Sequence, residues 1–353
     1  MEFQLLSGDQ IRQLTDCQQV FEAWQEADRI RRRRFTGSMR WVERNGSSYL
    51  LRKIDRRERS LGPRSTETEA IMSGFQEGRA RNSDRLAGLA ARLDQMAPVN
   101  RALRLGRLPT IAARILRRFD GADLLGTSLL VVGTNAMFAF ETMAGVQLSA
   151  DMIATADIDL LLDARRSLNL AAMSAIGNEG LLGILKQVDR SFELPRARSF
   201  RAANRDGYLV DLIRPQQRDP SADRSSTGLT DVQTDMEAAE IAGLNWLVNA
   251  PKVAATVIDQ RGYPVRIVAI DPRAFALHKA WVATRMDREP AKARRDLAQA
   301  GAAAAIAANH LHLSFDASDL SALPTPLRER AADLLPADET ARDAQANPQI
   351  PNW

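Results

Sequence analysis

An uncharged stretch from Leu124 to Phe140 constrains this chain more than any other feature. Its segment Ser128-Leu-Leu-Val-Val132 offers no charged side to water, so it reads as a buried strand. Gly133-Thr134-Asn135 closes that strand and opens a helix from Ala136 to about Ala144. A buried strand followed at once by a helix implies a sheet covered by helical layers. The stretch is too short to cross a membrane, and Gly126, Thr127, Ser128, Gly133, Thr134 and Asn135 interrupt it.

The 353 residues are 45% hydrophobic and 26% charged, which excludes a collagen-like or wholly disordered chain. One cysteine, Cys17, excludes an internal disulfide and any multi-cysteine zinc site. The start Met1-Glu2-Phe3-Gln4 lacks the basic and apolar regions of a signal peptide, so a soluble cytoplasmic protein without membrane partners is expected. A net charge of +4 conceals an asymmetry: Arg29 to Arg118 carries 23 Lys and Arg against 8 Asp and Glu. The remainder is acidic, so one part of the chain is suited to an anionic partner.

The pattern in the first thirty residues is helical and ends in Asp28-Arg29-Ile30. Asn45-Gly46 then accepts the positive φ of a type I′ turn between two extended stretches, Met39 to Arg44 and Ser47 to Arg52, which predicts a hairpin. Helices are expected from Ser65 to about Ala97 and from Pro109 to about Phe119. Further strands are expected at Ile158 to Leu162, in a hairpin across Asn204-Arg-Asp-Gly207, and in a pair flanking Gln260-Arg-Gly-Tyr-Pro264. A helix is expected from Leu168 to Val188, another after Asp271-Pro272, and a third from Pro290 toward Ala308.

The chemistry concentrates in Asp157-Ile158-Asp159. Alternation along a strand points both carboxylates to one side, about 6–7 Å apart, where they repel without a counter-charge. A divalent cation supplies that charge, and Mg²⁺ is held by one or two carboxylates plus phosphate oxygens. Upstream, Gly133 lets a phosphate approach the backbone at a helix start, and the Thr134 hydroxyl and Asn135 amide offer further donors. Asp211 follows on the strand of the later hairpin, between Val210 and Leu212.

Strand, Gly-Thr turn, helix, Asp-x-Asp and a third acid on a neighbouring strand together resemble the nucleotidyltransferase superfamily that includes DNA polymerase beta. The segment Ser128 to Thr134 is similar to a bacterial branch related to abortive-infection toxin nucleotidyltransferases, with Thr134 where the general pattern has Gly or Ser. The resemblance covers roughly residues 124–300. It implies an α+β fold, a nucleotidyltransferase-like mixed sheet flanked by helices. Beside that core, the residue patterns read above give an N-terminal helix-plus-hairpin domain and a C-terminal helical region. The corresponding boundaries are an Arg-rich domain over 1–120, a catalytic core over 121–270, a helical region over 271–335 and a disordered tail over 336–353.

The same resemblance implies that Asp157, Asp159 and Asp211 hold two Mg²⁺ ions, or Mn²⁺ in their place, and that Gly133 and Thr134 hold an NTP triphosphate. Lys279 corresponds to a helical lysine set against that triphosphate. Lys292, Arg295 and Asp296 share a helix face and resemble a Lys/Arg-Asp cluster of related toxins. The implied reaction moves an NMP from an NTP to a hydroxyl of RNA, tRNA first, or of a protein. The toxin likeness adds a cognate antitoxin as a possible partner. For the acceptor, Arg31, Arg32, Arg33 and Arg34, with Arg40 and Trp41 on the hairpin, combine phosphate-binding charge with a stacking ring. The alternative is a non-catalytic module of the same fold that binds nucleic acid or a partner; three retained metal carboxylates argue against it. An Asp-x-Asp glycosyltransferase site leaves the Gly-Thr turn and Asp211 unexplained.

Overall fold

The computed structural model describes residues 3–55, 57–163, 180–216, 234–316 and 318–335. Packing divides the chain into two units. One comprises Gly8–Gly106 with Arg261–Pro264; the other comprises Met1–Ser7, Arg107–Gln260 and Val265–Trp353. Strands are numbered along the whole chain from β1 (Gln4–Leu5), which pairs with β6 (Val146–Gln147) in the second unit.

The first unit contains α1 (Gly8–Arg34), an antiparallel meander of β2 (Ser38–Arg44), β3 (Ser47–Ile54) and β4 (Arg57–Pro63), and α2 (Thr66–Ala102). Leu14, Cys17, Phe21 and Ala27 form the buried stripe of α1 at helical spacing. The expected hairpin is present, with Asn45 at φ 50° and Gly46 at φ 76° in its turn. The third strand was not foreseen, because Gly62-Pro63 reads as a break. Gly62 stands opposite Leu50, and a register shift beside it accompanies burial of both Leu50 and Leu51. Helix α2 starts on a capping box, Ser65 with Thr68.

Near the end of α2, buried Asn100 accepts from Gln13 at 2.8 Å and donates to the Gly262 carbonyl at 2.7 Å. Gly262, at φ 89°, meets Ala97 so closely that a Cβ would lie 2.1 Å from the Ala97 oxygen. Residues 261–264 thus pack as part of this unit.

The second unit is built on a seven-stranded mixed sheet ordered β10-β9-β7-β5-β12-β11, with β8 on β9. Its strands are β5 (Leu129–Val132), β7 (Asp157–Leu162), β8 (Arg201–Ala203), β9 (Leu209–Pro215), β10 (Ala239–Ile241), β11 (Lys252–Ile258) and β12 (Pro264–Ile270). All four residues of β5 are buried, as the uncharged stretch requires. Around the sheet lie α3 (Thr110–Gly121), α4 (Met137–Ala144), α5 (Gly180–Val188), α6 (Leu244–Asn249), α7 (Pro272–Ala283) and α8 (Pro290–Ala305). The chain is α+β, a mixed sheet flanked by helices.

Fully buried Phe140 of α4 meets Phe275 of α7 edge-on, with ring centroids 5.3 Å apart, fixing α4 to the C-terminal helices. Asp271 caps α7 as expected, accepting from the Arg273 amide at 2.8 Å. The division by packing falls at Gly106, so α3 and the helices after residue 271 belong with the sheet rather than to separate regions. The expected helix from Leu168 lies outside the described residues up to 179, as does the tail 336–353.

Candidate functional site

Three strand ends converge on the carboxylates. Strand β5 runs antiparallel to β7 and sets Val132 opposite Asp159, so the turn leaving β5 arrives at the start of β7. Strand β9 runs parallel to β7 on its other side and sets Asp211 opposite Asp159. Alternation then places Asp157, Asp159 and Asp211 on one face of the sheet. Gly133, at φ 64°, passes so close that an added Cβ would lie 2.0 Å from Asp159 Oδ2. Glycine is required there on both counts.

The Asp159 carboxyl is pushed up to about 7, first by burial and then by the charges of Asp157 and Asp211; Lys279 and Arg201 oppose the rise. Asp157 accepts from the Thr155 hydroxyl through its side chain. Its backbone carbonyl accepts from Asn135 Nδ2 at 2.7 Å and from the Tyr208 hydroxyl at 3.2 Å. Burial and the neighbouring aspartates push the Tyr208 hydroxyl up, which keeps it a donor. Asn135 thus helps to align β7 through its amide nitrogen.

Each oxygen of Asp211 receives a hydrogen bond from Arg201, from Nε at 2.7 Å and from Nη2 at 2.5 Å. Thr134 Oγ1 accepts from Gln299 Nε2 at 3.1 Å, and that amide also donates to the Met152 carbonyl at 2.9 Å. Gln299 is fully buried, so α8 holds the Gly-Thr turn from behind.

Lys279 donates to Asp296 Oδ1 at 2.7 Å, and Arg288 Nε donates to the other oxygen at 2.7 Å. Lys279 and Asp296 are thus joined, and Lys279 acts electrostatically on Asp159. Lys292 is not part of this group. It pairs with Glu289 at 3.0 Å, with 63% of its side chain exposed, while Arg295 donates to the Ala154 carbonyl.

In the other unit, Arg31 and Arg32 both bind Asp28, at 2.6 and 2.9 Å, and Arg40 binds Glu58 at 2.9 Å. The Arg64 guanidinium lies 5.4 Å from the Trp41 ring centre. Arg33 and Arg34 are exposed at the end of α1. Three of the five expected acceptor-binding cations therefore have carboxylate partners within their own unit.

Among the described residues, no group of three or more His, Cys, Asp or Glu is arranged to hold a metal ion. Asp157, Asp159 and Asp211 are the carboxylates on this face, and Asp211 also accepts from Arg201 through both oxygens. One or two carboxylates completed by substrate phosphates are a sufficient donor set for Mg²⁺.

Arg201, Arg288 and Gln299 were not singled out from sequence. Arg201 had a partial signal, since the predicted hairpin across residues 204–207 places it near Asp211, and the structure pairs the two directly. The other two contact their partners across long sequence separations or through helix packing, for which no local pattern exists.

No curated protein and no solved structure matches the chain. A family profile described as Nucleotidyltransferase matches residues 110–324. The match opens at α3, runs beyond α8, and contains the Gly133 turn, all three aspartates and Lys279. Taken with the strand–turn–helix placed against paired aspartates, it shows that the chain belongs to the nucleotidyltransferase family and is a transferase of phosphorus-containing groups.

Proposed function

We propose that the chain transfers an NMP from an Mg²⁺-bound NTP to a hydroxyl of RNA, with tRNA the first candidate. The observation that carries this reading is the approach of Gly133 to Asp159, which sets an anion-accepting turn beside paired carboxylates. Asp157 and Asp159 would hold the cation, which Mn²⁺ could replace. When bound, the metal would stabilise the charge developing on the attacking and leaving oxygens.

Gly133 admits the triphosphate to the backbone, and Thr134, steadied by Gln299, turns its hydroxyl hydrogen to a phosphate oxygen. Lys279, fixed by Asp296, holds positive charge toward the same place. The acceptor oxygen bonds to the α-phosphorus, the bond to the bridging oxygen breaks, pyrophosphate departs, and the carboxylate cluster takes the hydroxyl proton. RNA is favoured as acceptor by the Arg-rich segment from Arg29 to Arg118.

The test is label transfer from each α-labelled NTP into a bacterial lysate, with Asp157→Ala/Asp159→Ala as control. RNase-sensitive label that the double variant fails to produce supports the reading. Protease-sensitive label moves the acceptor to protein, and absence of label with every NTP rejects it. A toxin role predicts growth arrest on induction, abolished by the same double substitution; a cognate antitoxin would restore growth.

A further inference from the structure

Many cations of the sheet unit end on a carboxylate. Arg107 binds Glu141, Arg214 binds Glu240, Arg266 binds Asp120, and Arg273 binds Asp271 and Asp319. Arg118, Lys186 and Arg190 differ. All three are exposed, and among the described residues no hydrogen bond or ion pair holds their charged ends. With Gly183, Gln187 and Val188 they line one open cleft of about 540 Å³ between α3 and α5.

The walls of this cleft are fixed. Helix α3 buries Ile115 and Phe119, and α5 buries Leu181 and Leu185, in the same apolar core. Arg114 donates to the Val188 carbonyl and so ties α3 to the end of α5. At the start of α5, Asp235 accepts from the Leu181 and Leu182 amides, each at 2.9 Å. Gly183 lines the cleft without a side chain, so nothing from that position fills it.

A cation in the last turn of a helix offsets the negative end of its dipole, and Arg118 and Lys186 stand in such turns. That accounts for each of them alone. It does not account for three cations lining one cleft while nearby acids turn elsewhere. Asp120 binds Arg266, and Asp189 accepts from Ser191 and Asn204. Cations gathered without a counter-charge repel one another, and an anion entering the cleft relieves that repulsion.

A guanidinium grips two oxygens of a phosphate at once, and an ammonium adds a point charge beside it. Among the described residues no aromatic ring and no carboxylate lines the cleft, so a base finds nothing there to stack on. Contacts confined to phosphate and sugar position a strand without reading its sequence. None of the three cations is among the charges that act on Asp159, so the cleft stands apart from the carboxylate cluster.

We propose that the cleft between α3 and α5 binds the sugar–phosphate backbone of the acceptor RNA, with Arg118, Lys186 and Arg190 on its phosphates. This rests on RNA being the acceptor. The sheet unit then holds RNA through a patch of its own, separate from Arg31 to Arg34 and the hairpin.

The test measures binding of the full chain to a fluorescent single-stranded RNA of mixed sequence, by anisotropy across a range of KCl. Arg118→Gln/Lys186→Gln/Arg190→Gln should weaken binding about 10- to 100-fold near about 0.1 M salt and lower the slope of log affinity against log salt by about 2, as three phosphate contacts on a single strand require. Arg196→Gln/Arg205→Gln/Arg294→Gln removes the same charge from exposed positions that do not line the cleft, and should change the slope by less than about 0.5. If the first triple variant does not fold, the single variants carry the test, each lowering the slope by about 0.7.

Equal slopes for the two triple variants would overturn the proposal. So would a cleft variant that shifts only the urea midpoint, since that is the signature of helix-end charges alone. Inorganic tripolyphosphate is the competitor: displacement of the RNA at stoichiometric tripolyphosphate would show a small-anion pocket and reject backbone binding. If the wild type binds no RNA, the acceptor reading falls together with this one. If the cleft variant binds RNA as the wild type does while label transfer into RNA still requires Asp157 and Asp159, only the cleft is rejected.

Discussion

A Cβ on Gly133 would lie 2.0 Å from Asp159 Oδ2, on a backbone already at φ 64°. Gly133→Ala should therefore displace Asp159 and lower label transfer by about 100-fold, with strain of only about 1–3 kcal/mol in urea unfolding. Wild-type transfer by a folded Gly133→Ala protein would contradict this. Asp159 also makes a prediction about pH. Its carboxyl is raised from 3.8 to about 7 in the folded chain, so between those values the native state binds more protons than the unfolded one. The group's contribution to stability is whole below about pH 4 and is lost as pH rises through 7. In EDTA at pH 8, Asp159→Asn should melt higher than the wild type, by about 2 kcal/mol once solvent screening is allowed for, and the difference should shrink toward pH 5. A lower melting temperature for the variant at pH 8 would refute it. At this scale the sequence was readable wherever a strand's alternation or a turn dictated the residue. It was silent about Gln299, which meets Thr134 across 165 positions, and about the bond of Asn135 to a backbone carbonyl.

Helices α7 and α8 pack together through a charge cluster rather than through apolar contact alone. Lys279 of α7, Asp296 of α8 and Arg288 from the link between them form one unit around a carboxylate that is 3% exposed. Asp296→Ala would strand two cations and is expected to cost about 3 kcal/mol in urea unfolding and to depress label transfer. Lys292→Ala, one turn earlier on the same helix, should change stability by less than about 0.5 kcal/mol, since its pair with Glu289 is exposed. Equal effects of the two substitutions would show that the cluster does not join the helices. Spacing alone put Lys292, Arg295 and Asp296 on one face, and it could not tell which of them turns inward. Proximity to the helix start decides the matter: Lys292 lies two residues after Pro290 and folds back onto Glu289, while Asp296 sits under Lys279. The missed strand β4 has a similar cause, because Gly62-Pro63 ends a strand here rather than preventing one.

Across the whole chain, the two units are not consecutive in sequence. Asn100, near the end of α2, donates to the carbonyl of Gly262, 162 residues later, in the tip that joins β11 to β12. Asn100→Ala leaves that buried carbonyl and the Gln13 amide without their partner and should cost about 1–3 kcal/mol by urea unfolding. A neutral result would mean that the tip is not a fixed part of the helical unit. The charge asymmetry pointed to an anionic partner for one part of the chain, and the profile match opens at residue 110. No linear reading could have assigned residues 261–264 to the first body, because they run from the turn after β11 into the first residue of β12. The arrangement fixes an order of events during protein synthesis. The helical unit leaves the ribosome first, yet the residues that cap Asn100 and pack on Ala97 are made only after most of the sheet. A nascent chain stalled before Gly262 carries a first body missing one wall, and it is completed when the strands of the second have been translated.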